Sequence, residues 1–231
     1  MAKKPRITVL QPESDVPLDR FEEWLARDVR LSVIDLQSKD VPNLDAIGDG
    51  LVVLGGRTSA HAELPWMGKV KDLMADLHAI DIPILGICLG HQLLAEALGG
   101  RVNVGDPRGL EEGALELHWA PAAAHDPVVG GAVLAGGPVP MSHYDNVVQL
   151  PEGATELART ATYENAAFRL GSAWGVQFHP EASPELMQHW WKRAGHKGTT
   201  MLDRMTAADR RVEPTCRAIA EGFTAVVNGD A

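Results

Sequence analysis

A chain of 231 residues is long enough to bury a substantial core, and 21 Lys plus Arg against 31 Asp plus Glu leave a formal net charge of −10. That charge argues against nucleic acid and anionic membrane surfaces as partners, because no basic stripe offsets it beyond Lys3-Lys4-Pro5-Arg6. No apolar run approaches a membrane span and residues 7–10 are too short for a signal-peptide core, so a soluble, cytoplasmic protein is expected.

In chain order, residues 7–11, 31–35, 50–54 and 83–87 read as short strands separated by helix candidates or connections. The clearest helix covers residues 65–79, where Trp66, Val70, Leu73, Met74 and Leu77 repeat at helical spacing. Pro65 suits its first turn, where the missing N–H costs nothing. Residues 81–100, DIPILGICLGHQLLAEALGG, put Cys88 between Gly86 and Gly90, where a strand pattern gives way to a helix pattern. A strand-turn-helix elbow of this kind presents a nucleophile on a turn too tight for flanking side chains; the alternative is a buried structural thiol. The following helix carries Leu93, Leu94, Ala97 and Leu98 on one face and stops at Gly99-Gly100.

Strands alternating with helices predict an α/β fold of right-handed βαβ units, flavodoxin-like, with a mostly parallel sheet covered by helices on both faces. Ligands in such sheets sit at the carboxyl ends of the strands, where Cys88 falls. Over residues 101–178 the texture changes to β-like pieces at 132–134, 147–150 and 174–178, read as small antiparallel additions and a return to the main sheet. Beyond Ala182 the pattern is helical, first over 184–194 and then through Leu202, Met205, Ile219, Phe223 and Val226. No linker-like stretch divides the chain, so one domain is expected. Trp190, Trp191, Phe223 and Val226 are either homo-oligomer contacts or the inner face of helices that cap their own core.

A free thiol has a pKa near ~8.5 and needs a neighbouring base or a helix N-terminus to act as a nucleophile. The helix after Cys88 offers the latter. The informative base is His179 in GVQFHPEAS, with Glu181 two residues on, on the same side of an extended backbone and able to hold one ring nitrogen; the alternative is a surface turn at Pro180. Negative charge developing on a carbonyl oxygen is best met by fixed backbone N–H groups. Leu89 N–H supplies one, and the loop Leu54-Gly55-Gly56-Arg57 can supply another, unless its glycines only end a strand. Cys88 and Cys216 lie far apart, so neither a disulfide framework nor a zinc site is suggested, and no metal or cofactor is expected. Gly68-Lys69 is followed by Val70, so the phosphate-loop pattern fails.

The segments GICLGHQ (86–92), LGG (54–56), MSHYD (141–145) and GVQFHPE (175–181) together resemble the class I glutamine amidotransferases, which carry a Cys-His-Glu triad. The resemblance spans residues 7–194 and leaves 195–231 as a helical C-terminal extension. MSHYD followed by LPEG is similar to the glutaminase domain of GMP synthetase. The resemblance implies that Cys88 attacks the side-chain amide of glutamine, forms a γ-glutamyl thioester and releases ammonia, while His179 moves the protons and Glu181 orients it. It further implies Gly56 and Leu89 as oxyanion donors. Gln92 and the backbone around Ser142, His143 and Tyr144 would grip the α-amino and carboxylate groups beside Gly55, with His143 as a wall residue. Read alone, Gln92 is equally a helix-surface amide. The sequence departs from the family at Arg57-Thr58-Ser59, where many relatives place proline, and at Tyr144, where glycine is usual. With no synthase-like segment in the sequence, either a separate synthase subunit receives the ammonia or the enzyme hydrolyses a γ-glutamyl compound for its own sake. A third reading is a non-catalytic regulatory protein on the same scaffold, whose mark would be a lost triad member.

Overall fold

The computed structural model describes residues 4–230; Lys3 of the basic start and Ala231 of the C-terminal extension lie outside them. The first half alternates strand and helix: β1 (Arg6–Gln11), α1 (Arg20–Ala26), β2 (Arg30–Asp35), β3 (Gly50–Val53), α2 (Pro65–Ala79), β4 (Ile84–Ile87) and α3 (Leu89–Ala97). The second half begins with short strands β5 (Arg101–Asn103), β6 (Glu111–Leu115) and β7 (His118–Trp119), then α4 (Gly130–Ala135). It continues through β8 (Val139–His143), β9 (Asn146–Gln149), β10 (Thr155–Arg159), β11 (Ala167–Leu170) and β12 (Ala173–Val176), and ends in α5 (Pro184–Arg193) and α6 (Thr200–Asn228).

Eight strands form the main sheet in the order β2-β1-β3-β4-β12-β11-β10-β7. The first five run parallel, in the order of a doubly wound flavodoxin-like sheet with β12 as the fifth strand. The last three are antiparallel, which makes the sheet mixed. Strands β3, β4 and β12 are buried throughout, as expected of central strands covered on both faces. Leu51, Val53 and Ile84 face α2 and α3, while Val52, Leu85 and Ile87 face α1, α4 and α6, so strand alternation divides the core into two layers. Each such fully buried aliphatic side chain contributes roughly 1.5–3 kcal/mol.

Residues 132–134, expected as β-like, lie inside the short helix α4. A three-residue apolar run carries no usable periodicity, and the contact that decides it is tertiary: Ala132 is buried in the layer that α6 closes. Gly136, at φ 62°, ends the helix with a left-handed cap. The antiparallel additions take two forms: β7, β10 and β11 extend the main sheet, whereas β5–β9 and β6–β8 make separate two-stranded sheets. Helix α6 lays Val212, Cys216, Ile219 and Phe223 against the α1–α4 layer. Phe223 is fully buried there and Trp190 is turned inward, so neither presents a face to a second copy. Among the described residues no helix is long and apolar enough to cross a membrane.

Candidate active site

Strand β4 ends at Ile87 and α3 begins at Leu89, leaving Cys88 alone to turn the chain at φ 50°. Positive φ is unfavourable for a residue with a Cβ and persists only where its surroundings enforce it. The enforcement here is steric: a Cβ on Gly90 would stand 2.1 Å from the carbonyl oxygen of Val53, and one on Gly86 would stand 2.5 Å from that of Gly90. Helix α3 therefore rests on the sheet at a distance only glycine allows, and the chain must reverse within one residue. Cys88 N–H donates to Val176 O (2.8 Å), which ties the elbow to β12, the strand that leads to His179.

Strand β12 stops at Val176, two residues earlier than the sequence pattern suggested, and His179 lies in the following turn, not on an extended strand. The turn, not strand alternation, brings His179 and Glu181 together, with Nδ1 and Oε1 2.7 Å apart. Both side chains are buried, which removes the surface-turn reading. The backbone holds this segment from several sides: His179 N–H donates to Pro140 O, Arg20 N–H to Glu181 O, and Ser183 N–H to Asp19 Oδ2. Trp190 lies 4.7 Å from the imidazole, centroid to centroid, and on another side a Cβ at Gly55 would come within 2.7 Å of His179 Cε1. Burial disfavours a charged imidazole, but the Glu181 carboxylate and the neighbouring Cys88 outweigh it and push His179 up to about 10. His91, one turn along α3, is the opposite case: burial pushes it down to about 3, so it stays neutral.

Among the described residues, the backbone N–H groups of Gly56 and Leu89 are not engaged by other backbone carbonyls, and both residues border the elbow. The Gly56 loop is fixed by a residue that sequence reasoning missed: Glu13 Oε1 accepts the N–H groups of Arg57 (2.8 Å) and Thr58 (3.1 Å). The available signal was its position just after β1, at the carboxyl end of a parallel strand.

Cys88, His179, Gly56, Gln92 and the 142–145 segment line one cavity of about 510 Å³. Gln92 is buried, not on a helix surface, and its Nε2 donates to Asp145 O (3.0 Å) and Gln177 Oε1 (3.2 Å). The β6–β8 ladder pairs Glu111 with His143 and Glu112 with Ser142, on opposite faces of the ribbon. His143 is held at both nitrogens, Nδ1 by Asp145 O (3.0 Å) and Nε2 by Glu111 Oε2 (3.3 Å), so its ring is occupied away from Cys88. Burial opposes ionisation of Glu111, but hydrogen bonds from His143 and Thr160 prevail and hold its carboxyl below the usual range. Ser142 and Glu112 border the cavity, and Tyr144, 56% exposed, stands at its mouth.

The glutamine amidotransferase class-I family model matches residues 19–195, more than half of the chain and a span within which Cys88, His179 and Glu181 fall. The chain belongs to the class-I glutamine amidotransferase family. It is 35% identical over 165 residues to one subunit of the glutamine-hydrolysing GMP synthase of Halobacterium salinarum, a match covering 71% of this chain and 82% of that protein. The corresponding GMP synthase subunit from Methanosarcina acetivorans is 38% identical over 162 residues, covering 65% and 77% of the two chains. A glutamine amidotransferase from Thermotoga maritima has the same fold, with a TM-score of 0.82 over 96% of this chain and 99% of that one at 23% identity. The amidotransferase assignment makes this chain a glutamine-hydrolysing enzyme.

Trp190 and His196 also line the cavity, and both come from beyond the motifs. Trp190 carried a signal only as an apolar residue on a helical stripe; its contact with His179 depends on how α5 folds back, which no local pattern encodes.

Proposed function

We propose that this amidotransferase uses Cys88 as its nucleophile, His179 as its proton carrier and Glu181 as the group that orients His179. The observation that carries the reading is the positive-φ Cys88 beside an imidazole tied to Glu181 at 2.7 Å, in one cavity with Gly56 and Gln92. Cys88 gives its proton to His179 and its sulfur attacks the δ-carbon of glutamine. The carbonyl oxygen takes up negative charge between the Gly56 and Leu89 N–H groups, which are set in place before the charge appears. His179 donates its proton to the leaving nitrogen, so ammonia departs and a γ-glutamyl thioester remains. Water then adds with His179 as base, releasing glutamate and restoring the thiol. Gly55, Gln92, Ser142, His143 and Tyr144 shape the pocket around the amino-acid end.

The similarity to single subunits of GMP synthases supports delivery of the ammonia to a separate synthase subunit. The reading requires no metal or cofactor and a cytoplasmic setting, as one domain with its C-terminal helices closing one face. Purified protein, with and without such a synthase partner, should release glutamate and ammonia from glutamine in equal amounts, and Cys88→Ala should abolish both. Undiminished release by Cys88→Ala would overturn the assignment, and faster turnover of γ-glutamyl peptides than of glutamine would move it to a γ-glutamyl hydrolase.

A further inference from the structure

A second crevice, of about 400 Å³, opens at the carboxyl ends of β1 and β2, beside the catalytic cavity and separate from it. Its place follows from the topology. Strand β1 stands between β2 and β3, and the helices that follow β1 and β3 cover opposite faces of the sheet, α1 in one layer and α2 in the other. Connections that leave neighbouring strands for opposite faces part at such a switch point, and the gap between them is where open α/β sheets bind ligands. Cys88, at the end of β4, lies one strand beyond it. The volume falls in the range of small-ligand clefts, roughly 300–1,000 Å³.

The lining combines an apolar floor, an aromatic ring and free charge. Leu36 is buried at the floor and the half-buried Trp66 stands beside it. Lys39, after β2, and Lys69, in α2, border the same space. Both are exposed, and among the described residues neither has an ion pair or a side-chain hydrogen bond, whereas Lys71 on the same helix is paired with Glu96 at 3.3 Å. Asp40, next to Lys39, adds a hydrogen-bond acceptor at the rim. An indole that can stack a planar ring, two ammonium groups for an anion and a carboxylate for hydroxyl groups together match a mononucleotide.

We propose that this crevice is a regulatory site for a ribonucleoside monophosphate, with the base against Trp66, the phosphate on Lys39 and Lys69 and the ribose hydroxyls on Asp40. The crevice and the catalytic cavity are back to back: Thr58 borders both, and Glu13, on the crevice wall, holds the N–H groups of Arg57 and Thr58 next to Gly56. A ligand that bears on Glu13 or Thr58 therefore acts on the Gly56 N–H. Binding stands independently of the glutamine reading above; the effect on turnover rests on the oxyanion role that reading gives to Gly56.

The test is calorimetric titration of AMP, GMP, CMP and UMP, their nucleosides and inorganic phosphate into the wild-type chain and into Lys39→Gln/Lys69→Gln, a variant whose two altered side chains are exposed and outside the core. At least one monophosphate should bind with a Kd below about 1 mM, and the variant, the matching nucleoside and inorganic phosphate should each weaken binding at least about tenfold. Saturation with that nucleotide should change kcat for glutamine at least about fivefold in the wild-type chain and leave the variant, whose turnover without nucleotide matches wild type, unaltered. No binding by any of the monophosphates at millimolar concentration, equal binding to the variant, or equal binding of inorganic phosphate would overturn the site. Bound nucleotide with unchanged kcat would overturn its regulatory role. Absence of ammonia release both with and without nucleotide is a separate result: the glutamine reading then fails, the regulatory role falls with it, and calorimetry still decides the site.

Discussion

The floor of the catalytic cavity is held by close backbone contacts, whereas its wall is held by side chains. On the floor, Gly86 and Gly90 let α3 rest on β3 and β4, and Gly55 leaves room for the His179 ring; a single Cβ at any of the three would meet an atom at 2.7 Å or less. On the wall, β6 and β8 are placed by Glu111, His143 and Thr160, while the α5–α6 connection is fastened by Gln188, whose amide bonds both Gly198 O and Leu202 N–H. A backbone held by sterics has one solution, and its sequence mark is local. A wall held by long-range side-chain contacts can change its residues without losing its fold, and its mark is dispersed through the chain.

The sharpest way to break this comparison is Gly90→Ala. One methyl group facing a carbonyl oxygen at 2.1 Å should cost at least about 2 kcal/mol in denaturant unfolding and abolish ammonia release, because the elbow cannot close. An active Gly90→Ala protein of ordinary stability would mean that the glycines do not set the floor.

Next in size is Glu181→Gln, which keeps the shape of the side chain but removes the charge facing His179. Activity should fall about 10⁴-fold, as for other triads that lose the orienting carboxylate. The pH dependence carries a sign as well. His179 is raised from an ordinary 6.5 to about 10 in the fold, so the folded state holds this proton more tightly than the unfolded state does. Its contribution to stability is therefore complete below about pH 6.5 and lost as pH rises through about 10. Because Glu181 is a main cause of the rise, thermal melts should show the gap between wild type and Glu181→Gln shrinking as pH climbs from 6.5 to 10. A gap that widens over that interval would contradict the assignment of His179 as the proton holder.

The smallest expected effect concerns the loop between floor and wall. Glu13→Ala frees the N–H groups of Arg57 and Thr58 and loosens the Gly56 donor, for a loss of about tenfold in kcat. Glu13→Gln keeps an acceptor oxygen and should recover most of that loss. Equal losses in the two variants would point to the charge of Glu13, not its hydrogen bonds.

The same division explains what could be read in advance. The five-strand parallel half of the sheet was legible from apolar runs and the elbow from Gly86-x-Cys88-x-Gly90, because close packing leaves those marks within a few residues. Pairing of His179 with Glu181 was also legible, although the turn that accomplishes it replaced the extended strand that spacing suggested. Helix α4 was not legible, since Val133 and its neighbours suit strand or helix equally until α6 packs beside them. Glu13, Glu112, Trp190 and His196 were missed for one physical reason: Glu13 reaches the Gly56 loop, and the other three reach the cavity, through contacts between elements far apart in sequence.

Covalent labelling tests most directly whether Cys88 is the acyl-accepting thiol. A glutamine-mimicking diazoketone, followed by intact-mass and peptide mass spectrometry, should add one label per chain at Cys88, with protection by excess glutamine. Cys216 should stay free, because it is buried in the core and burial pushes its thiol pKa up, away from the reactive thiolate. Label at Cys216, or none at Cys88 in protein that releases ammonia from glutamine, would contradict the role assigned to Cys88.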